Sequence, residues 1–269
     1  MRWDPAKYTE FSHHRDRPFF DLTSRVAAGA PGKVVDLGCG PGRLTAALAE
    51  RWPAAEVAGL DASAEMIRDA AARYGPGTPG HRPRLSFAVA DAGEWEPGPD
   101  VDVLVTNAML QWIPGHLELV ARWLDALRPG AWFAAQVPGN FGSPSHVLLR
   151  RLAESPRWAG RLAGILRHDE AVAEPAAYLR LLLDAGFEAD AWETTYQQVL
   201  VGADPVLDWV RGTGLRPVLS ALGPAEAESF EREYGALLRV AYPAFAGRDG
   251  SPLTVFPFRR IFCVGRKAG

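Results

Sequence analysis

Three glycines at alternating positions follow an acidic residue in the segment VVDLGCGPG, residues 34–42. The β-branched residues ahead of Asp36 predict a strand, and residues 43–52 have the apolar spacing of an amphipathic helix. Because glycine has no Cβ, its backbone can turn tightly and come close to a ligand. The sequence therefore predicts a strand, a glycine turn and a helix N-terminus that together bind a small ligand.

The spacing of this run argues against a dinucleotide as the ligand. A dinucleotide-binding turn has the pattern G-x-G-x-x-G, with the pyrophosphate at the helix N-terminus. Here the pattern is G-x-G-x-G, and Arg43 stands in place of the third glycine. The Asp36 carboxylate would repel a pyrophosphate but can accept a hydrogen bond from an ammonium group. We therefore predict a ligand with a cationic end.

Two further carboxylates, Asp61 and Asp91, each follow an apolar predicted strand. In a doubly wound sheet, ligands bind outside the carboxyl ends of the strands. The spacing of Asp61 from the glycine run is close to that of acidic residues that bind ribose hydroxyls. Helix capping is the alternative role, but Ser63 already supplies a cap. Together with Asp36, these acids suit a cationic cofactor that carries a ribose and an amino group.

Apolar strands alternate with amphipathic helices as far as residue 138, which predicts an α/β fold with a parallel sheet. The rest of the chain is less regular and predicts two more strands and several helices. The predicted strands are 34–37, 56–61, 85–89, 101–107, 131–137, 188–200 and 259–266, and the main predicted helices are 43–52, 117–127, 143–158, 174–185, 205–213 and 224–241.

The string DLGCGPG, residues 36–42, resembles the first motif of the class I methyltransferases that use S-adenosylmethionine (SAM). The resemblance implies a Rossmann-like seven-stranded sheet with helical lid insertions, SAM as cofactor and S-adenosylhomocysteine as product. It also implies that Asp91 accepts from the adenine amino group and that the backbone of Ala92 pairs with the ring. The candidate cofactor-binding residues are Arg17, Asp36, Gly38, Gly40, Asp61, Ala62, Asp91, Ala92, Asn107 and Trp112.

Arg17 and Trp112 each have two interpretations. Arg17 belongs to an aromatic-rich leader, residues 3–28. This leader either covers one side of the sheet, or it covers the cofactor and binds the cofactor carboxylate through Arg17. Trp112 follows the fourth strand and either joins the core or walls the methyl-transfer pocket. Asn107 ends that strand, where cofactor and substrate are expected to meet.

We predict one methyltransferase domain over residues 1–269, since this length suits one core with insertions. It comprises a helical leader (1–30), a SAM-binding core (31–138), a helical insertion (139–185), and strands six and seven with helices between them (186–269). The segment between those strands is expected to bury no core of its own and to form a lid. A dimer interface or a structural buttress is the alternative.

Several strings other than the glycine motif resemble the trans-aconitate methyltransferase family more narrowly. The resemblance implies transfer of a methyl group from SAM to one carboxylate of trans-aconitate. A carboxylate is already ionised at neutral pH, so no catalytic base is expected. The strings include Trp3-Asp4-Pro5, Arg15-Asp16-Arg17-Pro18, Leu110-Gln111-Trp112, Ser145-His146-Val147-Leu148 and Thr213-Gly214-Leu215-Arg216-Pro217.

The remaining carboxylates of such a substrate need cationic or neutral donors when the lid closes. Arg216 precedes a proline, which predicts an extended backbone at a lid turn. Arg259 and Arg260 stand where the family carries one arginine, so the sequence leaves open which one meets substrate. The candidate substrate-binding residues are Gln136, His146, Tyr196, Arg216, Arg259 and Arg260.

Composition limits the partners. A net charge of −3 without a basic stripe argues against nucleic acid, and no apolar run reaches the length of a membrane span. Two cysteines form no disulfide framework or metal motif, so we expect a cytoplasmic protein without a metal site. The resemblance implies a small anionic carboxylic acid as substrate, and we expect a monomer or homodimer. Two alternatives stay open: an O-methyltransferase of another small molecule or natural product, and a non-catalytic SAM-binding protein.

Overall fold

The computed structural model describes residues 12–166 and 171–269, with side chains from residue 16 onwards. Its strands assemble into one sheet. They are β1 (Lys33–Leu37), β2 (Glu56–Asp61), β3 (Leu85–Val89), β4 (Val103–Asn107), β5 (Trp132–Pro138), β6 (Phe187–Val201), β7 (Phe245–Ala246) and β8 (Pro252–Lys267).

The strand order is β3-β2-β1-β4-β5-β8-β6, and the short β7 pairs with β8. Strands β1 to β5 pair in parallel, whereas β8 runs antiparallel to β5. This confirms the predicted α/β fold, a mostly parallel sheet with flanking helices. The sequence missed β7 and the first half of β8, because Pro252 and Pro257 interrupt the alternating pattern there.

Most of the predicted helices are present, but residues 143–158 differ from the prediction and the helix over Arg216–Ala221 was not predicted. The prediction of one helix over 143–158 is wrong, because the first helix there ends at Ala153. Pro156 lacks an N–H and disfavours helical backbone at the residue before it. The helices are α1 (Ser12–Ser24), α2 (Arg43–Arg51), α3 (Ala64–Tyr74), α4 (His116–Ala126), α5 (Pro144–Ala153), α6 (Ala159–Leu162), α7 (Pro175–Asp184), α8 (Pro205–Arg211), α9 (Arg216–Ala221), α10 (Pro224–Ala241) and a 3-10 helix at Leu110–Trp112.

The chain forms two compact units. The sheet unit comprises residues 16–138, 172–194 and 260–269. The described residues of the helical unit are 12–15, 139–166, 171 and 195–259. One of the boundaries between the units, at Pro138 and Gly139, is where the sequence analysis ends the SAM-binding core. The part of the predicted leader before residue 12, including Trp3, lies outside the described residues.

The sheet unit packs around its central strands β4 and β5. Their residues are buried on both faces, as expected of parallel strands covered by helices. Leu104, Phe133 and Trp123 of α4 are fully buried in this core. The Trp123 indole N–H donates to the carbonyl of Trp95 at 3.1 Å, which satisfies its polar group. This core holds the strand ends that carry the candidate site.

The helical unit has a hydrophobic core, to which the segment between β6 and β8 contributes together with α5 and α6. The sequence analysis expected that segment to bury no core of its own. Trp209 of α8 packs against Phe256 and Phe258 of β8, with ring centroids 5.8 and 5.5 Å apart. Phe230 and Tyr234 of α10 are completely buried in the same cluster. Across residues 12–166 and 171–269, no helix combines the length and apolar character needed to cross a bilayer.

Candidate active site

The glycine turn between β1 and α2 requires glycine at alternate positions. The φ angles are +83° at Gly38, +55° at Gly40 and +80° at Gly42, a region that favours glycine. A Cβ on Gly38 would lie 2.4 Å from Cγ of Met109, and one on Gly42 would lie 2.7 Å from the Phe87 ring. A Cβ on Gly40 would meet nothing within 4 Å, so the turn is open at that point. The predicted strand, turn and helix are confirmed.

Asp61, at the end of β2, fastens the glycine turn. Its Oδ2 accepts from the N–H of Gly40 at 2.9 Å, and its Oδ1 accepts from the N–H of Ser63 at 2.8 Å. Ser63 caps α3, as predicted, because its Oγ accepts from the N–H of Met66. Each Asp61 oxygen keeps acceptor capacity that ribose hydroxyls could use. The adjacent Ala62 is exposed.

Asp36 is a buried carboxyl group in β1, with 2% of its surface exposed. The hydroxyl of Thr45 on α2 donates to its Oδ2 at 2.7 Å. Burial raises the pKa of Asp36 to about 6, the Thr45 hydrogen bond lowers it, and the nearby Asp61 raises it. A cationic group brought to this carboxyl group would favour its ionised form.

Asp91 and Ala92 follow β3 beside the end of β2. The N–H of Ala90 donates to the carbonyl of Asp61 at 3.0 Å, which ties the two strand ends together. Asp91 is exposed, and its Oδ1 accepts from the N–H of Gly93 at 2.7 Å, whereas Ala92 is buried. The other Asp91 oxygen remains accessible to a ligand amino group.

Asn107 and Gln136 end neighbouring strands and bring two unpaired polar atoms together. They are register partners on β4 and β5, so their side chains share one face of the sheet. Within the described part of the chain, Oδ1 of Asn107 and Nε2 of Gln136 are buried without a hydrogen-bond partner. Gln136 pairs with Phe262 and Pro138 with Arg260 on β8, so Arg260 lies on that same face.

Ala108, the residue after Asn107, has a left-handed backbone with φ of 56°. Such strain in a residue other than glycine costs roughly 1–3 kcal/mol and is concentrated at functional sites. Its N–H donates to the carbonyl of Gln136 at 2.9 Å, and its carbonyl accepts from Nε2 of Gln111 at 2.5 Å. The next residue, Met109, packs against Gly38. Sequence reasoning missed this turn, because alanine carries no signal for left-handed backbone.

Arg17 and Trp112 are both exposed. The Arg17 side chain is 71% exposed on α1, with Nε 3.8 Å from Asp21. Trp112 is 58% exposed, so its interpretation as a core residue is wrong, and a cofactor role for either residue stays a prediction. The buried Asp16 forms an ion pair with Arg43, which ties α1 to the start of α2. The sequence analysis gave no role to this pair.

In the helical unit, His146 on α5 lies among hydroxyl groups. Its Nδ1 is 3.3 Å from Oγ of Ser145 and 3.4 Å from Oγ of Ser143. A Cβ on Gly214 would lie 3.6 Å from its Nε2, so the ring adjoins the turn that precedes Arg216. Two of the candidate substrate-binding residues of this unit are therefore close in space.

The predicted extended backbone of Arg216 is wrong. Arg216 is the first residue of α9, and Pro217 is the second. Proline fits the first turn of a helix because the N–H groups there have no intrahelical partner. Tyr196, another candidate, lies buried in β6.

Arg259 and Arg260 are adjacent on β8, so their side chains project to opposite faces of the sheet. Arg260, in the sheet unit, is 6% exposed and lies on the face of Asn107 and Gln136. Arg259, in the helical unit, is half-buried, and its guanidinium lies 3.5 Å from the carbonyl of Gly139. The two arginines therefore cannot serve one side of the sheet together.

The chain is similar to known methyltransferases. Residues 34–130 match the family described as Methyltransferase domain. The chain is 55% identical to a trans-aconitate 2-methyltransferase of Streptomyces avermitilis over 267 residues, covering 98% of this chain and 97% of that protein. It is 54% identical to one of Streptomyces coelicolor, covering 98% and 86%.

Among solved structures, the YcgJ protein from Bacillus subtilis has the same fold. It superposes with a TM-score of 0.57 at 17% identity, covering 96% of this chain and 99% of that one. The fold neighbour and the methyltransferase match confirm the predicted methyltransferase fold, and the near-complete coverage of the two Streptomyces proteins identifies the family. The chain therefore belongs to the trans-aconitate 2-methyltransferase family of SAM-dependent enzymes.

Proposed function

We propose that this protein transfers the methyl group of SAM to one carboxylate of trans-aconitate, which gives a monomethyl ester and S-adenosylhomocysteine. The observation that carries the proposal is the pair of buried, unpartnered atoms, Asn107 Oδ1 and Gln136 Nε2, within the described residues. Buried polar groups are nearly always paired, so such a pair at the carboxyl edge of a sheet is typical of a ligand site. Arg260 adds a cation on the same face.

The sheet unit offers groups that fit each part of SAM. Asp61 suits the ribose hydroxyls, Asp91 and Ala92 suit the adenine, and Asp36 suits the ammonium group. Gly40 leaves open space where a side chain would otherwise stand. When bound, SAM supplies a methyl group activated by a sulfonium sulfur.

The reaction needs orientation more than proton transfer. A carboxylate oxygen uses a lone pair to form the O–CH3 bond, and the electron pair of the breaking S–C bond stays on sulfur. The acid is already ionised near neutral pH, so we assign no catalytic residue. Positioning the oxygen in line with the methyl group and sulfur can supply roughly 7–11 kcal/mol.

Cationic side chains should bind the carboxylates that do not react. A guanidinium on the attacking oxygen would lower its nucleophilicity, whereas the remaining charges need partners in a site shielded from water. Arg260 suits this role in the sheet unit, and Gln136 can add a neutral donor. The substrate roles of His146, Tyr196, Arg216 and Arg259 stay predictions, as do a cytoplasmic location and a monomeric or dimeric state.

Mass spectrometry of products from SAM and a panel of acceptors tests the proposal. We expect trans-aconitate to gain one methyl group as an ester that alkali hydrolyses, and the Gln136→Leu variant to form it more slowly. Methylation of hydroxyl acceptors alone would favour another small-molecule O-methyltransferase. SAM binding without methylation of any acceptor in the panel would favour the non-catalytic alternative.

A further inference from the structure

Thr45 is a buried polar residue that no sequence motif singled out. It lies on α2 with 0% of its surface exposed, and its hydroxyl donates to Oδ2 of Asp36 at 2.7 Å. Among the described residues it is the one hydrogen-bond donor to this carboxyl group, so Oδ1 of Asp36 has no protein donor. A buried carboxylate with one oxygen fixed and the other open is suited to receive a donor from a ligand.

Among the described residues, the groups around Asp36 supply no counter-ion. Its register partners, Gly59 on β2 and Val105 on β4, are uncharged. Asp61 acts on it as a like charge, and the Cys39 thiol of the glycine turn has its own pKa raised, chiefly by burial. No cation of the described chain faces Asp36, so its ionised form lacks a charged protein partner.

We propose that Thr45 is a positioning residue for the cofactor, whose hydroxyl holds Asp36 ionised and oriented so that Oδ1 receives the ammonium group of SAM. The inference rests on the proposed SAM site and adds the residue that prepares its cation-binding oxygen. Thr45 acts through Asp36 and does not itself touch SAM. Its loss should therefore weaken SAM binding in a manner that depends on pH, with little effect on the Michaelis constant for the acid.

The expected pH dependence follows from the Asp36 carboxyl group. In the wild-type protein, SAM affinity should decrease as the pH falls through about 6, because protonated Asp36 no longer attracts an ammonium group. Thr45→Val keeps the shape but removes the donor, which should move this decrease up by about one pH unit. Thr45→Ser keeps a hydroxyl and should restore the wild-type profile.

Two measurements test the proposal. Calorimetric titration with SAM between about pH 5.5 and 8.5 gives the affinity profile, and carbon-13 NMR of the ligand-free protein gives the Asp36 titration. We expect Thr45→Val to lose about threefold in affinity near pH 6.5, close to tenfold near pH 5.5 and almost nothing near pH 8.5. An equal loss at every pH, with the Asp36 titration unchanged, would mean that Thr45 only ties α2 to β1 and would overturn the inference.

A double-mutant cycle with Asp36→Asn keeps the test decisive if Thr45→Val is poorly stable. Thr45→Ala also removes the donor and should shift the pH profile of the wild-type protein. Asp36→Asn should flatten the pH profile, and Thr45→Ala should cause no further change in that background. If a Thr45 substitution still changed SAM affinity in the Asp36→Asn background, the inference would be contradicted. Absence of SAM binding to the wild-type protein would instead sink the proposed function, so the two failures are distinguishable.

Discussion

The sheet unit and the helical unit both bury hydrophobic cores, but they differ in how their buried polar groups are satisfied. In the sheet unit, Asn107 and Gln136 leave polar atoms unpaired at adjacent strand ends, within the residues described. The fully buried hydroxyl of Thr106, on the opposite face of the sheet, is also unpaired among those residues. The strained Ala108 immediately follows Asn107. Leaving such groups unsatisfied costs roughly 1–3 kcal/mol each, so this region has the character of a site that a ligand completes.

The helical unit satisfies its central polar groups internally. The hydroxyl of Tyr234 donates to the carbonyl of Ser145 at 2.7 Å, and the hydroxyl of Tyr242 accepts from the N–H of Ser145 at 3.0 Å. Among the described side chains of this unit, only Oε1 of Gln198 is buried without a hydrogen-bond partner. This comparison supports our proposal that SAM chemistry takes place at the strand ends of the sheet unit, where more polar atoms lack partners among the described residues.

The same substitution should have opposite effects in the two units. Gly42→Ala places a Cβ 2.7 Å from the Phe87 ring at φ of +80°, so we expect a loss of about 2–5 kcal/mol in the free energy of unfolding. Gly212→Ala in the helical unit meets nothing within 4 Å and has φ of −76°, so it should be neutral or slightly stabilising. Urea denaturation of both variants measures the difference, and equal losses would contradict this reading of the turn.

Removing Arg216 tests whether the helical unit contributes to recognition of the acid. If its guanidinium pairs with a non-reacting carboxylate, Arg216→Ala should cost roughly 2–5 kcal/mol in kcat/KM for trans-aconitate and leave SAM affinity unchanged. Arg216→Lys should restore only part of this loss in kcat/KM, because an ammonium group cannot donate two parallel hydrogen bonds to a carboxylate as a planar guanidinium does. The control is Arg232→Ala, an exposed arginine of the same unit paired with Glu228. Equal kinetics for the two alanine variants would show that Arg216 does not bind a carboxylate of the substrate.

Asp36 should give the ligand-free protein a pH-dependent stability. Its carboxyl group has a pKa near 3.8 when unfolded and about 6 when folded, so the folded protein holds the proton more tightly. The free energy of unfolding should therefore fall as the pH rises from about 4 to about 6, by roughly 3 kcal/mol, and then level off. Asp36→Asn should remove this component in denaturant titrations, and an unchanged slope would refute the assignment.

Asp61 should couple cofactor affinity to the shape of the glycine turn. Asp61→Ala removes the acceptor for ribose and also releases the N–H groups of Gly40 and Ser63. We expect SAM binding to weaken by roughly 1.5–3 kcal/mol in calorimetric titration of a folded protein. Glu65→Ala, on the following helix, provides the matched control. Wild-type affinity in the Asp61 variant would remove this residue from the cofactor site.

Local sequence patterns predicted the sheet unit well because its signals are local. The glycine run, the apolar strands and the Ser63 cap act through neighbouring residues, and each is present in the structure. The face shared by Asn107, Gln136 and Arg260 depends on strand register, which brings distant segments together and has no local signature. The core of the helical unit was missed for the same reason, since its aromatic residues come from widely separated helices and β8.

The pH dependence of the chemical step tests the central claim most directly. A carboxylate acceptor is ionised well below neutral pH, so transfer needs no base. With SAM and trans-aconitate both saturating, the single-turnover rate should stay constant within about twofold between about pH 7 and 9. A tenfold rise in rate per pH unit across that range would contradict the account, because it would show that an attacking hydroxyl or a required base must lose a proton first.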